Sequence, residues 1–303
     1  LHPFYYAVGA LDACHDRGLP LSVYFHGFEL RSQLRGGYPK NHRAILAKRR
    51  IGTLRERVFY TVGAADEILV NSRYTASLLE PFSVKPPVRP TGCGIPEMEL
   101  RRELDLTPRY DPEQRRRRRA ALHLPEGRCL AFVGRLVPTK GVERLLRLCR
   151  ASSELSAVIV GGGPDEGRLR KLARRWHLED RVRFVGWVDE HRKWEVLRAA
   201  DFLCLLSEPD EERGQVEGFG IALLEGAAAG AVPVSSGTGG MRDVVDDGRT
   251  GLILPTDDAA AAGRLEAVAA RPAEARALVE AARRQLEERY NWLAVARRIV
   301  QGW

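Results

Sequence analysis

Short apolar runs alternate with longer amphipathic or alanine-rich segments along almost the whole chain. In the first third, a helix-like segment at 5–17 leads to an apolar run at 21–25. A basic helical region at about 42–65, a second run at 67–70, a short helix from residue 74 and a strand-like stretch at 87–89 follow. A polar, proline-punctuated stretch at 107–112 interrupts the pattern, which then restarts more clearly. Runs at 129–133, 157–160, 182–185, 202–206, 232–235 and 252–254 read as strands, most of them followed by a helix. Apolar runs this short, separated by helices, predict parallel sheets covered on both faces. Two such sheets, joined near residues 100–112, predict an α/β protein of two Rossmann-like domains that face each other across a cleft, with boundaries at 1–108 and 109–285.

Composition narrows the picture only a little. With 303 residues, 44% hydrophobic and 29% charged, the chain is long enough for two cores and too apolar for disorder. The net charge of +8 rests on high totals of both signs, so it does not choose among anionic ligands, membrane surfaces and nucleic acid. The five cysteines, Cys14, Cys93, Cys129, Cys149 and Cys204, show no C-x-x-C spacing, and two of them fall inside apolar runs. They predict reduced core thiols of a soluble, cytoplasmic protein and no zinc site. No apolar run approaches the roughly 18 residues of a membrane span, and no leader peptide is expected before the first helix. The chain opens on Leu1-His2-Pro3 without a methionine, so a segment upstream is expected. The five arginines at 115–119 form the one low-complexity run and read as a solvated helix face; without interleaved aromatics they argue against nucleic-acid binding.

In open parallel sheets, ligands bind beyond the carboxyl ends of the strands, so chemistry is sought just after each run. The run at 129–133 is followed by Gly134-Arg135 and then by Lys140-Gly141 at the start of a helix. Two cations beside a helix N-terminus fit a phosphate or diphosphate, although ordinary surface charges would read the same. Gly161-Gly162-Gly163-Pro164 after the next run is a close-approach turn, not the G-x-G-x-x-G of dinucleotide binders. Gly186-Trp187-Val188 could present backbone groups to a base edge, or Trp187 could simply be packed. The stretch Glu217-Gly218-Phe219-Gly220-Ile221 opens a helix that ends at Gly230, with Glu225 about two turns in. Eight residues of helix rise about 12 Å, which suits the two ends of a nucleotide-sugar. Carboxylates accept hydrogen bonds from vicinal diols, and amides at a helix mouth favour the anion between them. The plainer reading makes Glu217 a surface residue and Glu225 half of a core salt bridge.

The ordered set Gly134-Arg135 with Lys140-Gly141, Gly162-Gly163-Pro164, Phe184-Val185-Gly186, Ala200-Asp201, Glu217-Gly-Phe-Gly220 with Glu225, Gly239-Gly240 and Gly248-x-x-Gly251 resembles the donor domain of GT-B glycosyltransferases, specifically the retaining enzymes of family 4. The resemblance covers about residues 129–255. It implies a nucleotide-diphosphate sugar as donor, with Arg135 and Lys140 on the diphosphate, Glu217 facing the sugar and Glu225 on the ribose hydroxyls. It also implies contacts from Gly162, from the backbone of Gly218, Phe219, Gly220 and Ile221 to phosphate and sugar, and from the backbone at Trp187 and Val188 to the base. Transfer to an acceptor hydroxyl would proceed with retention and without a metal, because Arg135, Lys140 and the helix start would carry the leaving-group charge. Asp246-Asp247 and Asp257-Asp258 read as turn residues.

The first part resembles the acceptor domain less closely. His26, at the end of the first run, is the expected polar contact near the donor sugar, and Arg73 is expected near the cleft. Thr91-Gly-Cys-Gly-Ile-Pro96 replaces the more usual asparagine-glycine turn, and the family's initial strand and glycine-rich loop are missing before Leu1, so the first domain is expected to be incomplete. Residues 286–303 resemble the family's final helix, which crosses back to the first domain. The acceptor could be a sugar, a lipid-linked glycan or a small molecule; a lipid would let the basic segment from Arg43 to Arg57 rest weakly on the inner face of the membrane. A GT-B sugar-nucleotide epimerase, a phosphorylase and a non-catalytic nucleotide-sugar-binding module share much of this pattern, and the E-x7-E placement favours the transferase.

Overall fold

The structure, a computed structural model, describes residues 4–26, 30, 53–82, 84–107, 110–210 and 215–301. Its strands form two wholly parallel sheets. The first holds β1 (Ser22–Phe25), β2 (Glu67–Val70) and β3 (Val88–Pro90), in that order, with Ser22 opposite Glu67 and Ile68 opposite Val88. The second holds β4 (Arg128–Val133), β5 (Leu155–Val160), β6 (Val182–Gly186), β7 (Phe202–Leu205), β8 (Val232–Ser235) and β9 (Leu252–Ile253), ordered β6-β5-β4-β7-β8-β9. All nine predicted strands are present, each within two residues of its expected bounds.

The uniformly apolar runs are explained by burial on both faces: every residue of β5 is buried, as is every residue of β7 and β8. The larger core surrounds β4 and β5, and a separate cluster built on Phe25, Val58, Ile68 and Val70 underlies the first sheet. Strand order reverses between β4 and β7, which makes their carboxyl ends the switch point of the sheet. The polar stretch expected to join the two sheets is flanked closely by two helices. The helix Glu97–Leu106 ends just before it, with Glu97 and Glu99 in its first turn. The helix Pro112–Ala121 follows, capped by Asp111, whose carboxylate accepts from the backbone of Glu113 and Gln114.

The arginine run departs from expectation. Arg116 and Arg117 are exposed, but Arg115 and Arg119, four residues apart and therefore on one helical face, are buried. Helix ends leave carbonyls without partners, and the helices Glu190–Ala199 and Ile221–Ala228 end beside this face. Arg115 donates to the carbonyls of Arg198, Ala200, Ala229 and Gly230, so one guanidinium closes both ends. Arg119 donates to Ala199 at 2.7 Å and pairs with the fully buried Asp201 at 3.1 Å. Arg283 adds bonds to Ala227 and Ala228 at 3.0 and 2.8 Å. The run is a structural clamp on helix C-termini, where positive charge is favoured.

Chain contacts tie the end of the molecule to the first sheet. Ile95 donates to the carbonyl of Tyr290 at 2.9 Å and accepts from Trp292 at 3.1 Å, ahead of the helix Trp292–Val300. Arg298 donates to Thr91, and Arg89 to the carbonyl of Ile299. Gly94 is required for this approach, since a Cβ there would lie 2.6 Å from the backbone of Asn291. Among the described residues, no helix is long and apolar enough to cross a membrane. Of the basic segment from Arg43 to Arg57, residues 43–52 lie outside the described residues; Arg55 and Arg57 are half-buried in the helix Leu54–Ala64.

Candidate active site

The site is assembled where β4 and β7 end. After β4 the chain turns at Gly134 and runs to a short 3-10 turn, Pro138–Lys140. Gly141 takes the left-handed conformation, φ +69°, and lies so close to β7 that a Cβ would fall 1.9 Å from the carbonyl oxygen of Leu206. Glu208 donates to the carbonyl of Thr139 at 3.0 Å, which fixes the turn against the segment after β7. Lys140 therefore points at Glu217, and Nζ lies 2.5 Å from Oε2. Glu217 is 12% exposed, so its charge is largely shielded from water and matched by this one ammonium.

Four residues on, the helix Ile221–Ala228 begins at Gly220, whose φ of +95° bends the chain into it; no side chain caps it. Glycine at the cap leaves the first amide groups without a side-chain acceptor and free to meet an anion. Phe219 contributes only its backbone, because its ring is 2% exposed and packs edge-on against Tyr290.

The first sheet supplies the other wall. His26, directly after β1, is exposed, and its carbonyl accepts from Asn71 Nδ2 at 2.9 Å. The backbones of His26 and Gly218 nearly touch: a Cβ on Gly218 would lie 2.3 Å from the His26 oxygen. Gly240 in turn lies against the carbonyl of Gly218 and donates to that of Glu217 at 3.0 Å. The exposed Arg73 joins this contact through a 2.9 Å pair with Asp243. His26, Asn71, Cys93, Lys140, Glu217 and the stretch from Gly218 to Ala222 thus line one cavity of about 310 Å³. Cys93 is buried, its thiol pushed up by burial, and meets Tyr24 Oη at 3.5 Å.

The remaining predicted residues lie outside that lining. Arg135 is exposed and makes no side-chain hydrogen bond or ion pair among the described residues. Trp187 is 82% exposed, against the expectation that it could be packed; it lies over Gly162, where a Cβ would come within 2.9 Å of the indole. Val188 is half-buried against the core. Glu225 is held by Lys193, Nζ to Oε1 at 2.8 Å, a partner that sequence reading missed. Lys193 lies 32 positions away on the helix Glu190–Ala199, and nothing in its local pattern points to Glu225. Of the four aspartates expected in turns, Asp246 and Asp247 lie between elements, whereas Asp257 and Asp258 stand at the start of the helix Asp258–Ala269. Asp257 caps a helix, Asp258 pairs with Arg147, Asp247 accepts from the backbone of Ile253 and Asp246 pairs with Arg249. Among the described residues, no cluster of three His, Cys, Asp or Glu side chains could hold a metal ion.

Larger cavities exist elsewhere but lack this chemistry. One of about 860 Å³ touches Gly127, Arg128 and Glu154, at the amino-terminal edge of β4 and β5, and one of about 510 Å³ lies among helices around Trp194. Neither lies where the strands end.

Residues 113–285 match the family described as glycosyl transferases group 1. A D-inositol 3-phosphate glycosyltransferase of Saccharomonospora viridis is 33% identical over 248 residues, covering 76% of this chain and 53% of the relative. A glycogen synthase of Mycobacterium tuberculosis is 34% identical over 177 residues, 57% of this chain and 41% of the relative. The chain spans about half the length of the curated relatives it matches. Among solved structures, Anabaena HepE in complex with UDP superposes with a TM-score of 0.76 at 16% identity, over 99% of this chain and 76% of HepE. The sucrose-phosphate synthase of Thermosynechococcus elongatus superposes with a TM-score of 0.69 at 24% identity, over 99% and 78%. The fold is therefore that of GT-B glycosyltransferases, and the chain belongs to the glycosyl transferases group 1 family.

Proposed function

We propose that the protein transfers a glycosyl unit from a nucleotide-diphosphate sugar to an acceptor hydroxyl with retention at the anomeric carbon and without a metal. The observation that carries this reading is the Lys140–Glu217 pair at the uncapped start of the helix Ile221–Ala228, facing His26 across one cavity. Lys140 and Glu217 neutralise each other in this pair. A donor diphosphate would compete for Lys140 and gain the helix amides and the exposed Arg135, so positive groups would gather where negative charge develops on the leaving group. Glu217, released from its ammonium, could then accept from a hydroxyl of the transferred sugar. His26 would meet the same sugar from the first sheet. Trp187 over Gly162 offers a ring and a glycine turn at the ends of β6 and β5, a position suited to the base.

The test is calorimetry of the chain with UDP, GDP, ADP and dTDP, with magnesium and with EDTA, on the wild type, Arg135→Ala and Glu225→Ala. UDP comes first because HepE, of like fold, is solved with UDP and with UDP-glucose. Binding of one nucleotide, independent of magnesium and weakened in both variants, is the expected result. Proton NMR of the sugar released or transferred from that donor then reads the anomeric configuration. No binding by any of the four, or inverted product, would overturn the proposal.

A further inference from the structure

Glu225 occupies an unusual position for a charged residue. It lies in the short helix Ile221–Ala228, whose other members near it, Leu224, Gly226, Ala227 and Ala228, are buried. Its side chain is only 15% exposed. An apolar residue of similar size would fill such a place at lower cost, because a buried carboxylate gives up its hydration. The geometry around it is also lopsided. Lys193 Nζ reaches Oε1 at 2.8 Å, while Oε2 accepts no hydrogen bond among the described residues and is not sealed from solvent. A carboxylate that serves only as a core salt bridge would be expected to use both oxygens.

Lys193 is itself tightly held. Its side chain is 12% exposed, and its ammonium sits between Glu225 and Glu190, the latter at 2.7 Å and on the same helix one turn earlier. Asp189 caps that helix by accepting from the backbone of Arg192 at 2.8 Å, which sets the turn that carries both residues. The ring of Trp194 lies beside the ammonium, 5.2 Å to its centroid. The ammonium is thus fixed from several sides, and it fixes one oxygen of Glu225 while leaving the other to face outward.

We propose that Lys193 is a positioning residue: it fixes one carboxylate oxygen of Glu225 and orients the other toward the ribose diol of the donor nucleotide, and so sets the preference for ribonucleotides over deoxyribonucleotides. The inference rests on the donor-site reading above and extends it to a residue that touches no substrate. Burial pushes the Glu225 carboxyl above the ordinary carboxylate range; Lys193 pulls it down, and Glu190 and Glu99, the latter on the helix Glu97–Leu106, push it up. Without the ammonium, only the upward influences remain. Glu225 would then take a proton nearer neutrality and lose its strength as an acceptor.

The experiment measures binding of UDP, GDP and ADP, each beside its 2′-deoxy counterpart, to the full chain from pH 6 to 8. Wild type, Lys193→Met and Lys193→Arg are compared, with inorganic pyrophosphate as a probe of the diphosphate site alone. Wild type is expected to prefer the ribonucleotide by about tenfold, the equivalent of one hydrogen bond to a charged acceptor, with little pH dependence. In Lys193→Met the ratio should fall toward one at pH 6 and recover as pH rises, while Lys193→Arg keeps the wild-type ratio and pyrophosphate binds all three alike. Should Lys193→Met fail to fold, Lys193→Gln is read by the same ratio and pH slope. An unchanged ratio with a flat profile in the uncharged variant overturns the role of Lys193. A wild type that binds no nucleotide, or binds both sugars equally, overturns the donor-site reading instead.

Discussion

Gly218→Ala tests whether the active-site cleft is set by backbone contact. The added Cβ would lie 2.3 Å from the carbonyl oxygen of His26 and 3.0 Å from Asn71 Nδ2. Ordinary contact begins at 3.4 Å, so the two backbones must part by about 1.1 Å. The His26 carbonyl has little room to yield. It accepts from Asn71, which is buried and in turn accepts from Thr75 Oγ1 at 2.7 Å. On the other side, Gly240 is packed against the carbonyl of Gly218. The strain therefore falls on the spacing between His26 and Glu217. A displacement of about 1 Å in a reacting geometry costs on the order of 100-fold in rate, or about 2.7 kcal/mol of barrier. Overpacking adds roughly 1–3 kcal/mol of destabilisation.

The assay follows turnover of the donor that the chain binds, as slow hydrolysis or as transfer, beside the affinity for its nucleotide. Turnover should fall by about 100-fold and by clearly more than nucleotide affinity does, since Lys193, Glu225 and Arg135 lie outside this cavity although Lys140 and the helix-start amides line it. Gly167→Ala is the control, because nothing lies within 4 Å of a Cβ there and alanine favours its helix. If Gly218→Ala turns over the donor within threefold of wild type, the contact does not set the cleft.

Four further outcomes are expected. Arg115→Met leaves carbonyls at two helix ends without their shared donor and should cost about 3 kcal/mol in urea unfolding, whereas Arg116→Met, at an exposed position, should stay within about 0.5 kcal/mol. Lys140→Ala should weaken pyrophosphate binding by at least about tenfold in calorimetry; a smaller loss would remove Lys140 from the diphosphate site. Ribonucleotide binding by the wild type should weaken on acidification at a pH above the ordinary carboxylate value of about 4.3, because the raised Glu225 carboxyl loses its acceptor role on protonation; deoxyribonucleotide binding should not follow. For Lys193, burial alone would lower the ammonium, but Glu225 and Glu190 outweigh it and the net shift is upward. Its contribution to stability is therefore full below the unfolded value of about 10.4 and lost as pH rises through the higher folded value, so wild-type stability should fall more steeply above about pH 10 than that of Lys193→Met; equal slopes in thermal melts there would sink this assignment.

What could be read from the chain and what could not divide along the distance over which each feature is decided. β5 shows itself because six successive residues are buried between helices, a condition that leaves its mark on those residues alone. Lys140 and Glu217 were legible one at a time, as polar residues after strands, but their pairing joins positions 77 apart and belongs to the order of strands in the sheet. The buried arginines show the reverse failure. Arg115 and Arg119 stand at helical spacing, yet three more arginines around them hide the amphipathic pattern, and the carbonyls they serve lie 80 or more residues away. Trp187 is exposed and lies over Gly162, a contact decided by the pairing of β5 with β6 and not by its own run.

The glycines around the second sheet have a similar double meaning. Gly218 and Gly220 were read as opening a helix mouth to an anion, and Gly220 does so with its positive φ. Gly218 does something else: it removes a side chain so that the second sheet's loop can lie against the carbonyl of His26 from the first. Gly240 repeats this on the far side, where a Cβ would meet both the Gly218 carbonyl and Ser72 Oγ. With Arg73 and Asp243 paired alongside, the loop carrying Glu217 is gripped between two layers of backbone and one exposed ion pair. An exposed pair contributes little, so backbone contact sets the distance between His26 and Glu217. A spacing fixed by absent side chains leaves no polar signature, and for that reason a single substitution by alanine is its sharpest probe.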